Sequence, residues 1–204
     1  MPKTQIGVEE YLDLVFDDRP EPDYVDGEVV ERGLPTVVHS QVKASLGLLL
    51  APLSKKAFAT VMCGLRMQIA PQLFRIVDFA VYLRPRPEGR YATTPAFVAA
   101  EIVSEDDRHI EVMGRLEDYR RWGVPHVWLV DPQLKRVYEY SEAGLLQQPS
   151  LRIPSSISKS PRKSFSKTFN ARSPRALFYF LFHFRELSVA FGAAGAPRAY
   201  ACLG

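Results

Sequence analysis

Two carboxylates lie inside apolar segments of the sequence, where a charged side chain is costly. Asp78 interrupts the segment RIVDFAVYL, and Glu101 interrupts FVAAEIVS. A carboxylate in such a place is expensive unless it is paired, hydrogen-bonded or bound to metal. If the two segments form neighbouring strands, both carboxylates can point at one spot on the sheet edge. A pair of hard oxygen ligands suits Mg²⁺ or Mn²⁺, because such ions complete their shells with water and substrate phosphate.

The same two carboxylates have an ordinary alternative. On a solvated face of a sheet they would form salt bridges with Arg75 or Arg84. Isolated carboxylates are common in strands, so spacing alone leaves a metal site and a solvated face about equally supported. What the pair can do therefore depends on the elements that position it.

Hydrophobic periodicity predicts those elements. The helices are predicted from helical spacing, and the hairpin from an Asp-Gly turn signal. The strands are predicted from runs of β-forming residues bounded by proline turns. The predicted order is a helix at Val8–Phe16, a hairpin at Asp23–Arg32, a helix at Val38–Ala51, strands at Phe58–Ile69, Arg75–Leu83 and Ala96–Ser104, a helix at Ile110–Trp122 capped by Asp106 or Asp107, and strands at His126–Val130 and Arg136–Tyr140. This order indicates an α+β fold with a mixed sheet flanked by helices.

Charge and composition change at about residue 150. Residues 1–150 carry 17 Lys and Arg against 22 Asp and Glu, whereas residues 151–204 carry nine against one. The segment 155–166 is rich in Ser, Lys, Arg and Pro and has too little apolar surface to offset the entropy of ordering. We therefore expect a domain at 1–148 and a basic, poorly ordered tail at 149–204. The tail reads either as a DNA-binding arm or as a solvated linker.

Cysteine spacing and hydropathy indicate in which compartment of the cell the protein is expected. The two cysteines are far apart and have no zinc-type spacing, so neither a zinc site nor a disulfide framework is signalled. The N-terminus is acidic where a signal peptide would be basic and then apolar. The longest apolar run, residues 176–184, is too short to span a bilayer. We expect a cytoplasmic protein without a membrane partner.

Several ordered motifs together resemble a known family. They are DYVDGEVVE, VVHSQVKASLGLLL, RIVDFAVYL, FVAAEIVSEDDR and RLEDYRRWGVPHVWLVDP. At these separations the chain resembles, over Tyr11 to Tyr140, the bacterial Uma-type putative restriction endonucleases of the PD-(D/E)xK nuclease superfamily. The resemblance implies a restriction-endonuclease-like fold, DNA as substrate and a Mg²⁺- or Mn²⁺-dependent hydrolysis of phosphodiester bonds. It maps the two metal ligands onto Asp78 and Glu101.

The resemblance also shows a departure at the catalytic lysine. The usual superfamily position holds Val103, and the Uma-type position, four residues before Tyr119, holds Arg115. Arginine keeps the charge and can bind phosphate, but its pKa prevents it from acting as a base. Catalysis is expected to be reduced, with Arg115 as a phosphate contact. The alternative is that Arg115 is a surface helix residue paired with Glu111 or Glu117.

Accessory positions follow from the same resemblance. Asp23 and Asp26 match acids of the family hairpin, and His39 matches a histidine that opens the first core helix. Turn chemistry alone would also explain the hairpin acids, and a helix N-terminal position would explain His39. Lys43, one turn further along that helix, is expected to contact nucleic acid. His126 stands where the family has glutamate.

Three functions compete at this stage. The first is a metal-dependent DNA endonuclease of reduced activity, which in this superfamily often works as a homodimer. The second is a catalytically inactive module that binds nucleic acid or protein. The third is a nonfunctional product, because nothing after Leu146 resembles the family's compact ending and a reading-frame change near residue 148 would explain the basic tail.

Overall fold

A computed structural model describes residues 5–16, 20–55, 59–152 and 168–169 of the chain. The helices are α1 (Val8–Asp13), α2 (Val37–Lys55) and α3 (His109–Trp122). The strands are β1 (Asp23–Val25), β2 (Glu28–Val30), β3 (Ala59–Ala70), β4 (Leu73–Leu83), β5 (Val98–Ile102), β6 (His126–Asp131), β7 (Arg136–Ser141), β8 (Gly144–Gln148), β9 (Leu151–Arg152) and β10 (Thr168–Phe169). The predicted α+β class, the N-terminal helix and the hairpin are confirmed.

Strands β1 to β8 form one mixed sheet. Its order is β2-β1-β4-β5-β6-β7-β8, with β3 paired to β4 as a branch. Only β5 and β6 run parallel, because α3 lies between them in the chain and allows the return crossover. β9 and β10 form a separate antiparallel pair.

A helix covers each face of the sheet. Alternate residues of a strand point to opposite faces. On one face α2 packs through Val42, Leu46 and Leu50 against a cluster that includes Val98, Ala100 and Ile102. On the other, α3 packs through Val112, Leu116 and Tyr119 against a cluster that includes Ala80 and Ala99. The apolar spacing of both helices thus fixes which strand residues they cover.

Strand β4 has three neighbours, and this arrangement creates an opening in the sheet. β3 pairs with β4 from Leu73 to Leu83, so it occupies one whole edge of the strand. β1 and β5 must share the other edge, β1 at Phe74 and β5 at residues 79–81. Between them, residues 75–78 of β4 have no ladder partner on that edge among the described residues. Asp78 lies in this opening, so the carboxylates belong to the interior of the sheet and not to its edge.

Several predicted boundaries differ from the structure. The first helix ends at Asp13, because the chain turns extended at Leu14. Neither Asp106 nor Asp107 caps α3, whose N-cap is Arg108 without a side-chain hydrogen bond. Asp107 instead accepts a hydrogen bond from Ser104 N, at 2.7 Å, in the preceding turn. β8 was not predicted at all.

Most of the predicted tail lies outside the described residues. Of 149–204, the structure describes residues 149–152 and 168–169, which include β9 and β10. The predicted poor order of the tail and its frame-change origin remain untested. Within the described part of the chain, the helices are too short or too polar to cross a bilayer.

Candidate active site

The sheet brings Asp78 and Glu101 together. Antiparallel pairing of β4 and β5 matches Phe79 with Ala100, and one further step of the same register sets Asp78 opposite Glu101. Both side chains are buried, 5% and 1% exposed. Their oxygens reach a common atom, Arg32 Nη2, which donates to Asp78 Oδ1 at 3.2 Å and to Glu101 Oε2 at 3.1 Å.

Asp78 is held from three directions besides Arg32. His39 Nε2 lies 3.1 Å from its Oδ2, and because a carboxylate only accepts, this ring nitrogen carries the proton. The backbone N–H of Ile102 donates to the same oxygen at 3.0 Å. Lys43 Nζ lies 3.7 Å from Oδ1. His39 and Lys43 are one helical turn apart on α2, so the helix presents both to the carboxylate.

Glu101 is held from α3. The hydroxyl of Tyr119 donates to Glu101 Oε1 at 2.7 Å. Arg115 Nε lies 3.3 Å from Oε2, and Arg115 Nη2 lies 3.5 Å from Asp107 Oδ1. Tyr119 and Arg115 are four residues apart on one helix face. Tyr119 is therefore both a core residue and a hydrogen-bond donor to the site.

The pKa values of the two carboxyl groups are shifted in opposite directions. Burial alone would raise the pKa of Asp78, but the hydrogen bond from His39 and the charge of Arg32 outweigh it and hold that pKa well below its usual range. Burial and the negative charge of Asp78 raise the pKa of Glu101 to about 7, against the opposing charges of Arg32 and Arg115. A cation between the carboxylates relieves their mutual repulsion.

Arg115 is not a surface residue. It is 4% exposed and turned toward the carboxylate pair. The alternative pairing with Glu111 or Glu117 is wrong, since Glu111 pairs with Arg108, and Glu117 pairs with Arg120 and Arg121. The predicted approach of Arg115 to the site agrees with the geometry, whereas its burial leaves it no open route to a phosphate in this conformation.

The two hairpin acids occupy different places. Asp23 is fully buried, and its carboxylate accepts from Ile76 N at 2.8 Å and from Arg75 Nη1 at 3.0 Å. It thus satisfies a backbone donor in the opening beside β4. Asp26 is an exposed turn residue with φ +47°, whose N–H donates to Gln72 O. Among the described contacts, Asp26 makes none with the carboxylate pair.

A glycine with a positive φ lies opposite Asp78 on the neighbouring strand. Gly64 lies on β3 between the Cys63–Phe79 and Leu65–Val77 pairs, which sets it across from Asp78. Its φ of +62° falls in the left-handed region that favours glycine. A Cβ there would meet Lys43 Nζ at 3.8 Å. That distance is an ordinary van der Waals contact, so the positive φ is what favours glycine at this position beside Asp78 and Lys43.

A cleft opens onto the Asp78 side of the pair. Its volume is about 260 Å³, and Arg32, His39, Lys43, Asp78 and Asp107 are among its lining residues. His39 and Arg32 each keep one buried nitrogen, Nδ1 and Nη1, without a hydrogen-bond partner among the described residues. The cleft thus joins solvent to a cluster of charged side chains.

Arg32 is the site residue that the sequence did not reveal. It follows the DGE hairpin, and only its position next to the hairpin acids sets it apart from other arginines. Its guanidinium reaches Asp78 and Glu101 because β2 ends at Val30 and the chain then crosses the opening toward α2. Arg32 is 46 positions from Asp78 and 69 positions from Glu101 in the sequence, so no periodicity or spacing rule predicts these contacts.

The carboxylate pair fits a divalent cation in its donor chemistry. Asp78 Oδ1 and Glu101 Oε2 lie at 3.2 and 3.1 Å from one cationic nitrogen, so both oxygens already face a common positive charge. No group of three or more His, Cys, Asp or Glu side chains that could hold a metal occurs among the residues the structure describes. Two carboxylates are enough for Mg²⁺, which takes its remaining ligands from water and phosphate. The guanidinium of Arg32 stands in for that cation.

The sheet, the carboxylate pair on adjacent strands and the flanking helices define a protein of the nuclease-like α+β class. A family model described as Uma2, putative restriction endonuclease, matches residues 8–162. The chain belongs to this family. The match runs past residue 148, where the end of the domain was predicted. No curated protein matches the sequence.

A solved structure shares the fold. It is the crystal structure of a putative nuclease belonging to DUF820 from Anabaena variabilis, similar with a TM-score of 0.66 and 20% sequence identity. The alignment covers 86% of this chain and 99% of that one. The likeness thus extends over nearly the whole of the neighbour.

Proposed function

We propose that this protein is a metal-dependent endodeoxyribonuclease whose site is the Asp78–Glu101 pair. The observation that carries the proposal is that the carboxylates of two adjacent strands face one cation position at the end of an open cleft. Membership in a family described as putative restriction endonucleases supports DNA as the substrate. The same proposal places the protein in the cytoplasm of a bacterial cell, where it cuts both DNA strands as a homodimer.

The proposed ligands are Asp78 Oδ1 and Glu101 Oε2. When bound, a Mg²⁺ or Mn²⁺ ion supplies Lewis acidity to the scissile phosphate and lowers the pKa of a water molecule. Asp78 stays ionised through its hydrogen bond from His39, so it offers a charged ligand at neutral pH. Tyr119 fixes Glu101 by bonding the oxygen that faces away from Arg32. His39 and Tyr119 therefore orient the ligands.

Cations around the pair supply the phosphate contacts. Lys43 is 28% exposed at its side chain and lines the cleft, so its amine is available to a phosphate oxygen. Arg115 is buried, with its Nε at ion-pair distance from Glu101 and its Nη2 near Asp107, so its charge holds the glutamate in position. The high pKa of an arginine prevents it from removing a proton from water. This division of roles predicts slower hydrolysis than an enzyme with a lysine at residue 115.

Plasmid nicking tests the proposal. Purified protein is incubated with supercoiled plasmid and Mn²⁺, then with EDTA, and compared with Asp78→Asn. The change removes a charged ligand while conserving shape, so we expect nicking to fall by on the order of 100-fold or more. Asp13→Asn is the matched control, because Asp13 is exposed and distant on α1. Nicking that survives unchanged in Asp78→Asn would defeat the assignment.

A second function is favoured by one observation, the pair of arginines that contact the carboxylates. With Arg32 between them and Arg115 at the lysine position, the fold could serve as a nucleic-acid-binding module without catalysis. This reading expects DNA binding in EDTA and no nicking with Mn²⁺. Fluorescence anisotropy over a salt series separates the two, and Lys43→Ala should reduce the salt slope by about one if its amine binds a phosphate.

A further inference from the structure

We propose that Arg32 is an internal counter-ion that keeps the carboxylate pair closed, and that its contacts and a bound divalent ion exclude each other. The proposal rests on the proposed function only in taking the pair as the ion's site. Arg32 Nη2 is the atom that both carboxylates share, at 3.2 and 3.1 Å. The Arg32 side chain is 11% exposed, so this contact is inside the protein and not on its surface.

The exclusion follows from distances. An ion bound to both oxygens lies about 2.1 Å from each of them. Since Nη2 lies 3.1 Å from Glu101 Oε2, the ion would lie no more than about 5 Å from Nη2. Two positive charges so close in a buried site repel strongly. Under this proposal Arg32 leaves when the ion enters, because the ion takes over its contacts with both oxygens.

The arginine is held in a way that permits release. Only Nη2 bonds the carboxylates, and Nη1 is buried without a hydrogen-bond partner among the described residues. Arg75, by contrast, donates from three nitrogens to Asp23 and Asp118. Arg32 is thus held less tightly than Arg75, because a guanidinium bound through several nitrogens is held more tightly.

The segment that carries Arg32 can move without unfolding the core. Residues 31–36 connect β2 to α2 and lie across the cleft, where Arg32, Gly33 and Pro35 form part of its lining. Leu34 is 63% exposed, so the tip of this segment is not packed into the protein. We call residues 31–36 the strap. Opening the strap removes Arg32 from the pair and exposes the carboxylates to solvent.

Ion binding to the metal-free protein tests the proposal. Mn²⁺ is titrated by calorimetry into the parent and into Arg32→Met, which keeps the stem but removes the charge. If the strap is closed in more than about 90% of molecules, the parent binds at least tenfold more weakly than the variant. Arg75→Met is the matched control, because it removes another buried arginine that does not touch the pair. We expect its Mn²⁺ affinity to match the parent's.

A measurement on the unchanged chain does not depend on the folding of a variant. Hydrogen exchange of residues 31–36 is followed with and without Mn²⁺. Displacement of Arg32 predicts faster exchange in the strap when the ion binds. An ion that binds beside a retained Arg32 would leave exchange unchanged or slow it.

The outcomes separate this proposal from the nuclease assignment. Equal Mn²⁺ affinity of the parent and Arg32→Met, or a strap whose exchange is unchanged or slower with bound Mn²⁺, overturns the role of Arg32. Absence of Mn²⁺ binding in both proteins overturns it together with the metal site. Tighter binding in Arg32→Met and faster strap exchange, without plasmid nicking, support Arg32 as the counter-ion while the nuclease assignment fails.

Discussion

At the scale of single residues, burial decides what Arg115 contributes. The sequence suggests that Arg115 binds a phosphate, but its guanidinium is buried against Glu101 and Asp107. A buried charge whose partner is removed loses several kcal/mol of stabilisation. The charge at this position therefore acts first on the stability and orientation of Glu101.

Arg115→Ala tests this role. We expect it to lower the free energy of unfolding in urea by roughly 3 kcal/mol, because Glu101 loses a buried partner. Arg121→Ala is the control, since Arg121 is 74% exposed and lies on the same helix. Similar unfolding midpoints for the two variants would show that Arg115 is not a structural partner of the site.

Glu101 makes stability depend on pH in the metal-free protein. Its pKa is raised to about 7 in the folded state, so the folded chain keeps a proton that the unfolded chain releases near its ordinary pKa of 4.5. Stability from this group is present below pH 4.5 and is lost as pH rises through about 7. Asp78 has the opposite effect on stability, because its pKa is lowered in the folded state. The stability that it contributes is lost only as the pH falls into the acid range.

Glu101→Gln should remove that dependence. With EDTA present, we expect the parent to lose on the order of 1 to 3 kcal/mol between pH 5 and pH 7.5 relative to the variant, which has no proton to release. Urea unfolding at a series of pH values measures the difference. Parallel pH profiles for the parent and Glu101→Gln would show that Glu101 is already ionised in the folded protein.

At the scale of elements, β4 organises the site through the edge that β1 and β5 share. The opening between these strands leaves backbone groups of β4 without strand partners, and Asp23 satisfies the N–H of Ile76 there. The Arg75 guanidinium then joins Asp23 on β1 to Asp118 on α3. This link ties the hairpin, the central strand and the covering helix together.

The two hairpin acids should therefore differ sharply on mutation. Asp23→Ala leaves the buried N–H of Ile76 and the Nη1 of Arg75 without their partner, and we expect a loss of roughly 3 kcal/mol or more. Asp26→Gly should cost less than about 1 kcal/mol, because glycine accepts the positive φ of that turn. Thermal unfolding compares them. Equal losses would show that the hairpin acids serve only the turn.

At the scale of the whole molecule, local pattern predicted most of the elements, and the family resemblance pointed to Asp78 and Glu101 as the pair. Periodicity fixes α2, α3 and the central strands because one face of each is buried. What it missed depends on long-range packing. Arg32 reaches the pair through the strap, and Gly64 lies across from Asp78 through the β3–β4 register. Neither has a local signal in the sequence.

The same limit explains Arg115 and Asp26. A helix period puts Arg115 on the face of Tyr119, but only the packed position of α3 shows that this face is closed to solvent. The DGE motif contains two candidate acids, and only the pairing of β1 with β4 shows that Asp23 is buried and Asp26 exposed. Motif matching identifies candidates, and packing assigns their surroundings.

The central claim is that Asp78 and Glu101 together bind a divalent ion. A crystal structure of the protein with Mn²⁺, recorded at the manganese absorption edge, tests it most directly. The account predicts an anomalous peak bonded to Asp78 Oδ1 and Glu101 Oε2, with Arg32 displaced from both. A structure at saturating Mn²⁺ in which Arg32 still bridges the carboxylates and no peak lies between them would contradict it.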